Sequence, residues 1–517
     1  MEDALCNRTL LNYDTQYNLK KIISPNSAVS QYRYNYLGQL IRITNPNGLS
    51  QTREYDLLNR IRNVIDFDKN TIQFDYDALD NIIHYQDKQK EVRYTYKGLW
   101  KLTSRTQAGA TVHFNYDTEE QLRSIINEHG LIYRFDLDPA GNIIKEVGFD
   151  GITKKYRLNP AGWVTKLNRP GDRYTQYEHD AVGRIKKVSY HDGSTEIYEY
   201  DKGFLKQASN AHGKLEFVRD VLGNILTEKN NNQEVHSVFD KLQRRTHLSS
   251  SLGADIALEL DEFDNITKMN ANGWQVYLQY DLLGLEVKRQ MTGDVKSEWE
   301  RDLLGRETQH RVTNTRQKSA SSFFKRDYVW SVNSQLKKIT DNKVGITQFE
   351  YDKWDNLSKT LFGDNIEQLR TPDAVDNLFE SKDRKDRKYN AGGKLIESKV
   401  AFYKYDEEGF LIEKKEKSGM VWRYEWNPAG MLQRVVRPDK AEVNFKYDAL
   451  GRRTEKQFKK TITKFVWDGN KILHEWKEFD TKGSTADDII TWVFNEDDFA
   501  PAAKIKGEKN IASLLIT

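Results

Sequence analysis

One short phrase returns through this 517-residue chain about every 20 or 21 residues: an aromatic residue, then Asp or Asn, two variable residues, then Gly. It reads FKYDALGRRTEK from Phe445, WERDLLGRETQH from Trp299 and QYEHDAVGRIKK from Gln176. A period of that length marks one supersecondary unit that cannot bury its apolar face alone and must stack on its neighbours, so it constrains the fold before any other feature does. The first-slot anchors are Tyr13, Tyr34, Tyr55, Tyr76, Tyr96, Tyr116, Leu137, Leu158, His179, Tyr200, Arg219, Phe239, Leu260, Tyr280, Arg301, Trp330, Tyr351, Tyr389, Tyr405, Trp426, Tyr447 and Trp467. Of these roughly 22 copies about 16 are aromatic, and Asp or Asn follows in about 20, with Lys97 and Ser331 the exceptions.

The residue four places after the anchor is Gly in about half of the copies, and Asn59, Asp80, Asp264 or Asp355 in four more. Gly, Asn and Asp are the residues that tolerate a left-handed backbone. An Asp or Asn just ahead of them accepts backbone N–H groups in an Asx-type turn. The phrase is therefore a hairpin turn, and its turn-forming residues are Tyr76 with Asp77, Asp180 with Gly183, Asp220 with Gly223, Asp281 with Gly284, Asp302 with Gly305, and Tyr447 with Asp448 and Gly451. A second turn lies midway through each unit, at Asn45–Gly48, Phe149–Ile152, Arg169–Asp172 and Tyr190–Gly193. Two turns per unit leave two strands of about six to eight residues, each about 20–25 Å long. The strand text alternates as a strand should, as in Glu196, Ile197, Tyr198, Glu199, Tyr200.

About 44 strands at roughly 4.8 Å spacing make about 200 Å of antiparallel sheet. Open sheets rarely pass about ten strands without curling or splitting. The expected fold is all-β: a long antiparallel sheet of tandem hairpins wound into a hollow barrel, with a lumen wider than its own side chains fill. A composition of 38% apolar and 30% charged residues suits a wall with a lean core.

Two intervals break the rhythm, near 306–329 and 356–388. The first holds the polar run Asn314–Ser322, read as a solvated loop. The second holds Thr371, Pro372 and Asp373, which have the types of an N-cap, a first helical residue and a dipole partner, so a short helix is expected there. As a function, that insertion is a plug or a docking element. Residues 1–477 form the repeat region, and 478–517 form its C-terminal end, which reads as incomplete because it closes on the apolar run Ala512–Thr517.

The formal charge of +3, from 80 basic and 77 acidic residues, gives no basic face for nucleic acid. The lone Cys6 excludes an internal disulfide, and neither a signal peptide nor an 18-residue apolar span is present. Synthesis in the cytoplasm, with export by a route other than a signal peptide, is the matching localisation. No residue set points to a metal, a cofactor or a catalytic centre. His474–Glu478 lacks the second His of a zinc helix, Asp66–Asn70 is a hairpin turn rather than a calcium loop, and Gly392–Leu395 lacks most of a phosphate loop. Ser189, His191 and Asp192 adjoin merely by strand alternation, and the Glu496–Asp498 carboxylates read as solvated. An Asp that recurs with every unit builds a turn; a catalytic residue appears once or twice.

The tandem YDALGR, RDVLGN, NPAGM and RDLLGR units resemble the YD repeats of bacterial Rhs proteins, a group related to the shells of insecticidal toxin complexes and to teneurins. The Thr371 insertion and the stretch Trp492–Ile505 resemble the Rhs branch delivered by type VI or related contractile injection systems. That resemblance implies a hollow shell housing a cytotoxic C-terminal domain, as a part of the same polypeptide or as a separate chain, with an injection-system tip, spike or adaptor as a further partner. The family's closing aspartyl self-cleavage motif and toxin domain have no match in this chain, so no enzyme activity is expected of it. The alternative is a cell-surface or wall-associated protein that binds carbohydrate through aromatic strands.

Overall fold

A computed structural model describes residues 1–314, 324–479, 489–495, 499–507 and 510–513. The described chain is almost wholly β. Thirty-five strands, from Leu10–Tyr13 to Glu367–Leu369, belong to one antiparallel sheet, and 13, from Arg387–Tyr389 to Asn510–Ser513, belong to a second. The pairing is local. Glu442–Tyr447 pairs with Leu432–Val436 before it and Arg453–Phe458 after it, and Thr71–Tyr76 sits in the same way between Ile61–Ile65 and Ile82–Gln86. Such nearest-neighbour ladders follow directly from turns of four or five residues. The register slips at the residue before the anchor, between Lys446 and Tyr447 and between Asp75 and Tyr76, and the same slip recurs at other anchors. A bulge there lets the anchor side chain turn aside and adds local twist.

The chain divides into two compact units. Unit 1 comprises Met1–Ile132, Glu259–Met269 and Gln275–Asp386, and unit 2 comprises Tyr133–Leu258, Asn270–Trp274 and Arg387–Thr517. Each unit thus joins an early strip of hairpins to a later one. The core is thin, as the composition demands. In unit 2 it gathers at Ala208, Leu215, Phe217 and Ala449, with Tyr198, Leu205 and Ile225 packed against them.

The helix expected after Thr371 does not form. The single helical element among the described residues is the short 3-10 turn Val332–Ser334. Asp373 instead accepts the N–H groups of Val375 and Asn377 and the Asn377 amide, while Asp376 takes a φ of 63°. That is the arrangement of Asp77, Asp80 and Asn81, so the insertion hides another copy of the turn with Pro372 in the anchor slot. The Asx turn wins because a carboxylate that satisfies two amides within four residues leaves no reason to pay helix nucleation. The mid-unit turn placed at Phe149–Ile152 is closed one residue earlier, by Gly148 N–H donating to the Ile152 carbonyl. In the first insertion Glu307–Asn314 pairs with Phe324–Trp330. Most of the polar run Asn314–Ser322, and all of the Glu496–Asp498 carboxylates, lie outside the described residues.

Candidate functional site

In the repeat turn, Asp448 Oδ1 accepts the N–H groups of Leu450 and Arg452 at 2.9 Å each, while its Oδ2 takes Arg452 Nε at 2.8 Å. Asp180 and Asp302 repeat this with Arg184 and Arg306, and Asp77 and Asp220 do so with the amides of Asn81 and Asn224. Asp281 accepts only backbone, from Leu283 and Leu285. Gly451, Gly183, Gly223, Gly284 and Gly305 all hold positive φ, between 76° and 97°. Space matters as well: a Cβ on Gly183 would lie 2.8 Å from the Trp163 ring, and one on Gly305 would lie 2.5 Å from Leu285.

The anchor side chain stitches one unit to the one before it. Tyr447 OH donates to the Leu432 carbonyl at 2.7 Å and Tyr76 OH to Ile61 at 2.7 Å, and Tyr55, Tyr200, Tyr280 and Tyr351 do likewise across 14 or 15 residues. Trp426 and Trp467 make the same bond through Nε1, and Arg301 through its guanidinium. Tyr, Trp and Arg share the slot because each carries a donor at the end of a long, flat side chain. Where Arg holds the fifth place after the anchor, it stitches forward: Arg60 donates to Asp77 O, Arg306 to Ser331 O and Arg452 to Gly469 O. The Asn81 amide, with two backbone N–H groups, holds the Asp77 carboxyl below the usual carboxylate range, and Asn224 does the same for Asp220.

A second set of bonds joins strips far apart in sequence. In unit 1, Asn26 Nδ2 donates to Leu282 O at 3.4 Å, Asn47 Nδ2 to Leu303 O at 3.1 Å and Gln89 Nε2 to Gln335 Oε1 at 2.6 Å, across 256, 256 and 246 residues. In unit 2 the seam is charged. Lys394 meets Asp150 at 2.6 Å, Arg173 bridges Asp406 and Glu408, Arg245 meets Asp468 at 2.8 Å and Arg452 meets Glu228 at 2.6 Å. Neutral bonds flank these: Tyr198 OH to Ala449 O, Asn210 Nδ2 to Tyr447 O, and Ser250 Oγ with His474 Nε2. Asp448, Arg452 and Glu228 are all buried, so the opening phrase of the sequence sits on the unit 2 seam. Burial raises the Glu228 carboxyl even against the opposing pull of Arg452. Burial also pushes His474, whose other nitrogen meets Thr491 Oγ1 at 3.1 Å, down to about 4.

A cavity of about 420 Å³ opens beside this seam, lined by Arg173, His191, Asp406, Glu408, Phe410 and Trp426. Asp406 and Glu408 are already ion-paired, and the Phe410 and Trp426 rings stack on each other at 5.0 Å. Among the described residues no three His, Cys, Asp or Glu side chains gather as metal ligands. What the arrangement does chemically is hold strands in register and strips together. Of the insertion residues, Asp373 lies 3.7 Å from His129 Nε2 within unit 1, and Thr371 Oγ1 donates to the Phe379 and Ser381 carbonyls. The Arg five places after the anchor was a readable signal at Arg60, Arg184, Arg244, Arg306 and Arg452. Glu228, Tyr198 and Asn210 carry no local mark, since their partners lie 224 to 251 residues away.

A family model described as Teneurin YD-shell matches residues 71–468, and one described as RHS Repeat matches residues 34–71. The chain is similar to the "Double-stranded DNA deaminase toxin A" of Burkholderia cenocepacia (strain H111), 24% identical over 529 residues that cover 92% of this chain and 36% of that protein. It is also 24% identical over 535 residues to the "Probable deoxyribonuclease RhsA" of Dickeya dadantii (strain 3937), covering 88% of this chain and 36% of that one. It therefore spans about a third of the length of these relatives. Among solved structures, TcdB2-TccC3 superposes with a TM-score of 0.57 at 11% identity, covering 97% of this chain and 32% of that one. The Photorhabdus luminescens Tc holotoxin pore gives 0.57 at 11% identity, covering 98% and 31%. At that identity the likeness is one of fold.

Proposed function

The chain belongs to the teneurin YD-shell family, and from that premise we propose that it is a part of a shell that houses a toxin or effector domain and shields it until delivery. The observation that carries this reading is the shell-family match over residues 71–468, joined to relatives named as a deaminase toxin and deoxyribonucleases of which this chain spans only about a third. A sheet of tandem hairpins stitched repeat to repeat, and strip to strip within each unit, suits a wall: each bond restrains the sheet, and the ion pairs of the unit 2 seam are already satisfied. Delivery by a contractile injection system, with synthesis in the bacterial cytoplasm, an effector inside and a tip, spike or adaptor outside, completes the proposal. Interbacterial competition is the setting it fits.

Protease protection tests it. The protein is purified together with the effector encoded alongside it and digested beside the free effector. The enclosed effector should survive at least about tenfold longer, because cleavage then follows the rare opening of the shell. Equal digestion rates would reject enclosure.

A further inference from the structure

Across the two strands of a hairpin, the residue before the anchor lies directly opposite the residue nine places on. Where both are charged, they are as a rule opposite in sign. Asp136 meets Lys145 at 3.1 Å, Glu178 meets Lys187 at 3.4 Å and Glu259 meets Lys268 at 2.6 Å. Glu350 meets Lys359 at 3.4 Å, Glu425 meets Arg434 at 3.0 Å, and Lys446 meets Glu455 at 2.8 Å. Such pairs support a sheet, and like charges in the same place weaken it. Arg33 opposite Arg42 and Arg157 opposite Lys166 break the rule.

In unit 1 the reversal stops at that pair: the next strand sets Thr52 against Arg42, and Arg42 donates to Ser50 Oγ at 2.8 Å. In unit 2 it spreads. Lys145 lies directly opposite Lys155, which stands two residues from Arg157 on the strand Thr153–Leu158. Lys145, Lys155, Arg157 and Lys166 thus share one face of three adjacent strands, a span of about 10 Å, with Arg134 on the strand before. Among the described residues, Asp136 is the one carboxylate set opposite any of these four. Glu146 points to the other face, where Tyr133, Tyr156 and Lys154 hold it. Lys155 and Arg157 are exposed and have no ion-pair partner among the described residues. A local rule broken at a cost to stability marks a face kept for something other than the fold.

We propose that this basic face binds an extended acidic polypeptide segment, whose carboxylates at alternate positions lie along Lys155 and Arg157. Side chains two apart on an extended chain repeat about every 7 Å, so alternate carboxylates of the partner match alternate cations of the strand. A nucleic acid fits less well. The one ring on this face, Tyr174, has Lys166 Nζ 4.0 Å above it, which leaves no platform for bases. Thr153, Asn168 and Gln176, beside the cations, offer hydrogen-bonding groups to peptide amides instead. The inference rests on the charge pattern and does not depend on the enclosure of a toxin.

Fluorescence anisotropy tests it on the full chain at low salt, with a labelled peptide of alternating Glu and Thr and its Gln-Thr counterpart. The acidic peptide should bind and the neutral one should not. Lys155→Glu combined with Arg157→Glu should weaken that binding at least about tenfold. Lys202→Glu, an exposed charge change elsewhere in unit 2, should leave it within about twofold. A single-stranded oligonucleotide and phosphatidylserine vesicles are titrated in parallel. Absence of peptide binding, equal binding by the doubly reversed protein, or tighter binding of the oligonucleotide or the vesicles would each overturn the proposal. Stability is read separately: Lys155→Glu sets a carboxylate opposite Lys145, so its melting temperature should not fall. A fall would show that Lys155 serves the fold, and would overturn the proposal as well.

Discussion

Tyr447 and Asp448 show how one residue type can be ordinary in most copies and decisive in one. The Tyr447 hydroxyl makes a single bond to Leu432 O, so Tyr447→Phe should cost only about 1 kcal/mol in denaturant unfolding. Asp448 is fully buried against Arg452 and Glu228, and Asp448→Ala leaves the buried guanidinium with one carboxylate fewer. Removing one partner of such a group costs about 3–5 kcal/mol, well above what Asp77→Ala costs at an exposed turn. Gly183→Ala should also destabilise, by about 1–2 kcal/mol for the left-handed backbone and by more for the Trp163 clash, with circular dichroism melts as the readout. Asp77, with its folded pKa depressed, contributes stability present above its unfolded value and lost as the pH falls through the folded one. The turn residues are legible in sequence because their partners lie within four positions. The anchor's donor is half-legible: the mixture of Tyr, Trp and Arg hints at it, while the acceptor, a carbonyl in the preceding unit, has no residue type to read.

At the scale of the hairpin, local hydrogen bonding decides between structures of similar propensity. Thr371, Pro372 and Asp373 have the composition of a helix start, and the Asp-Ala-Val-Asp-Asn order has that of a repeat turn; the turn forms because its carboxylate satisfies Val375 and Asn377 at once. Asp373→Ala should therefore release this turn. Hydrogen exchange at the Val375 and Asn377 amides should rise sharply, with the neighbouring strand Leu357–Leu361 unaffected; unchanged exchange would show the insertion to be held by other contacts. The strand ladder itself was readable from the period alone, since two turns per unit leave antiparallel nearest-neighbour pairing as the only short connection.

At the scale of the molecule, the two seams differ in kind: amides dominate in unit 1, ion pairs and a buried histidine in unit 2. The difference predicts how each seam answers to acid. His474 is neutral in the fold, with a value near 4 against 6.5 when unfolded, so the unfolded chain binds the extra proton first. Stability from this site is complete above about pH 6.5 and is lost between there and about pH 4, by about 3 kcal/mol. Acidification to pH 5 should raise hydrogen exchange in Arg245–Ser250 and Lys471–Phe479 before it does so in the Asn26 and Asn47 turns, and His474→Gln should flatten that response. Equal loosening of both would show that the histidine does not govern the unit 2 seam.

The sequence by itself determined the repeat, its turn chemistry, the all-β ladder and the family the chain resembles, because each rests on residues within about 21 positions and is written some 22 times over. Only the tertiary structure decided which Asp is buried, and whether a seam is built of amides or of charge. Those outcomes depend on pairs such as Asn47 with Leu303 and Glu228 with Arg452, brought together across 256 and 224 residues. The accumulated twist and bulging of many strands sets that distance, and no single unit encodes it.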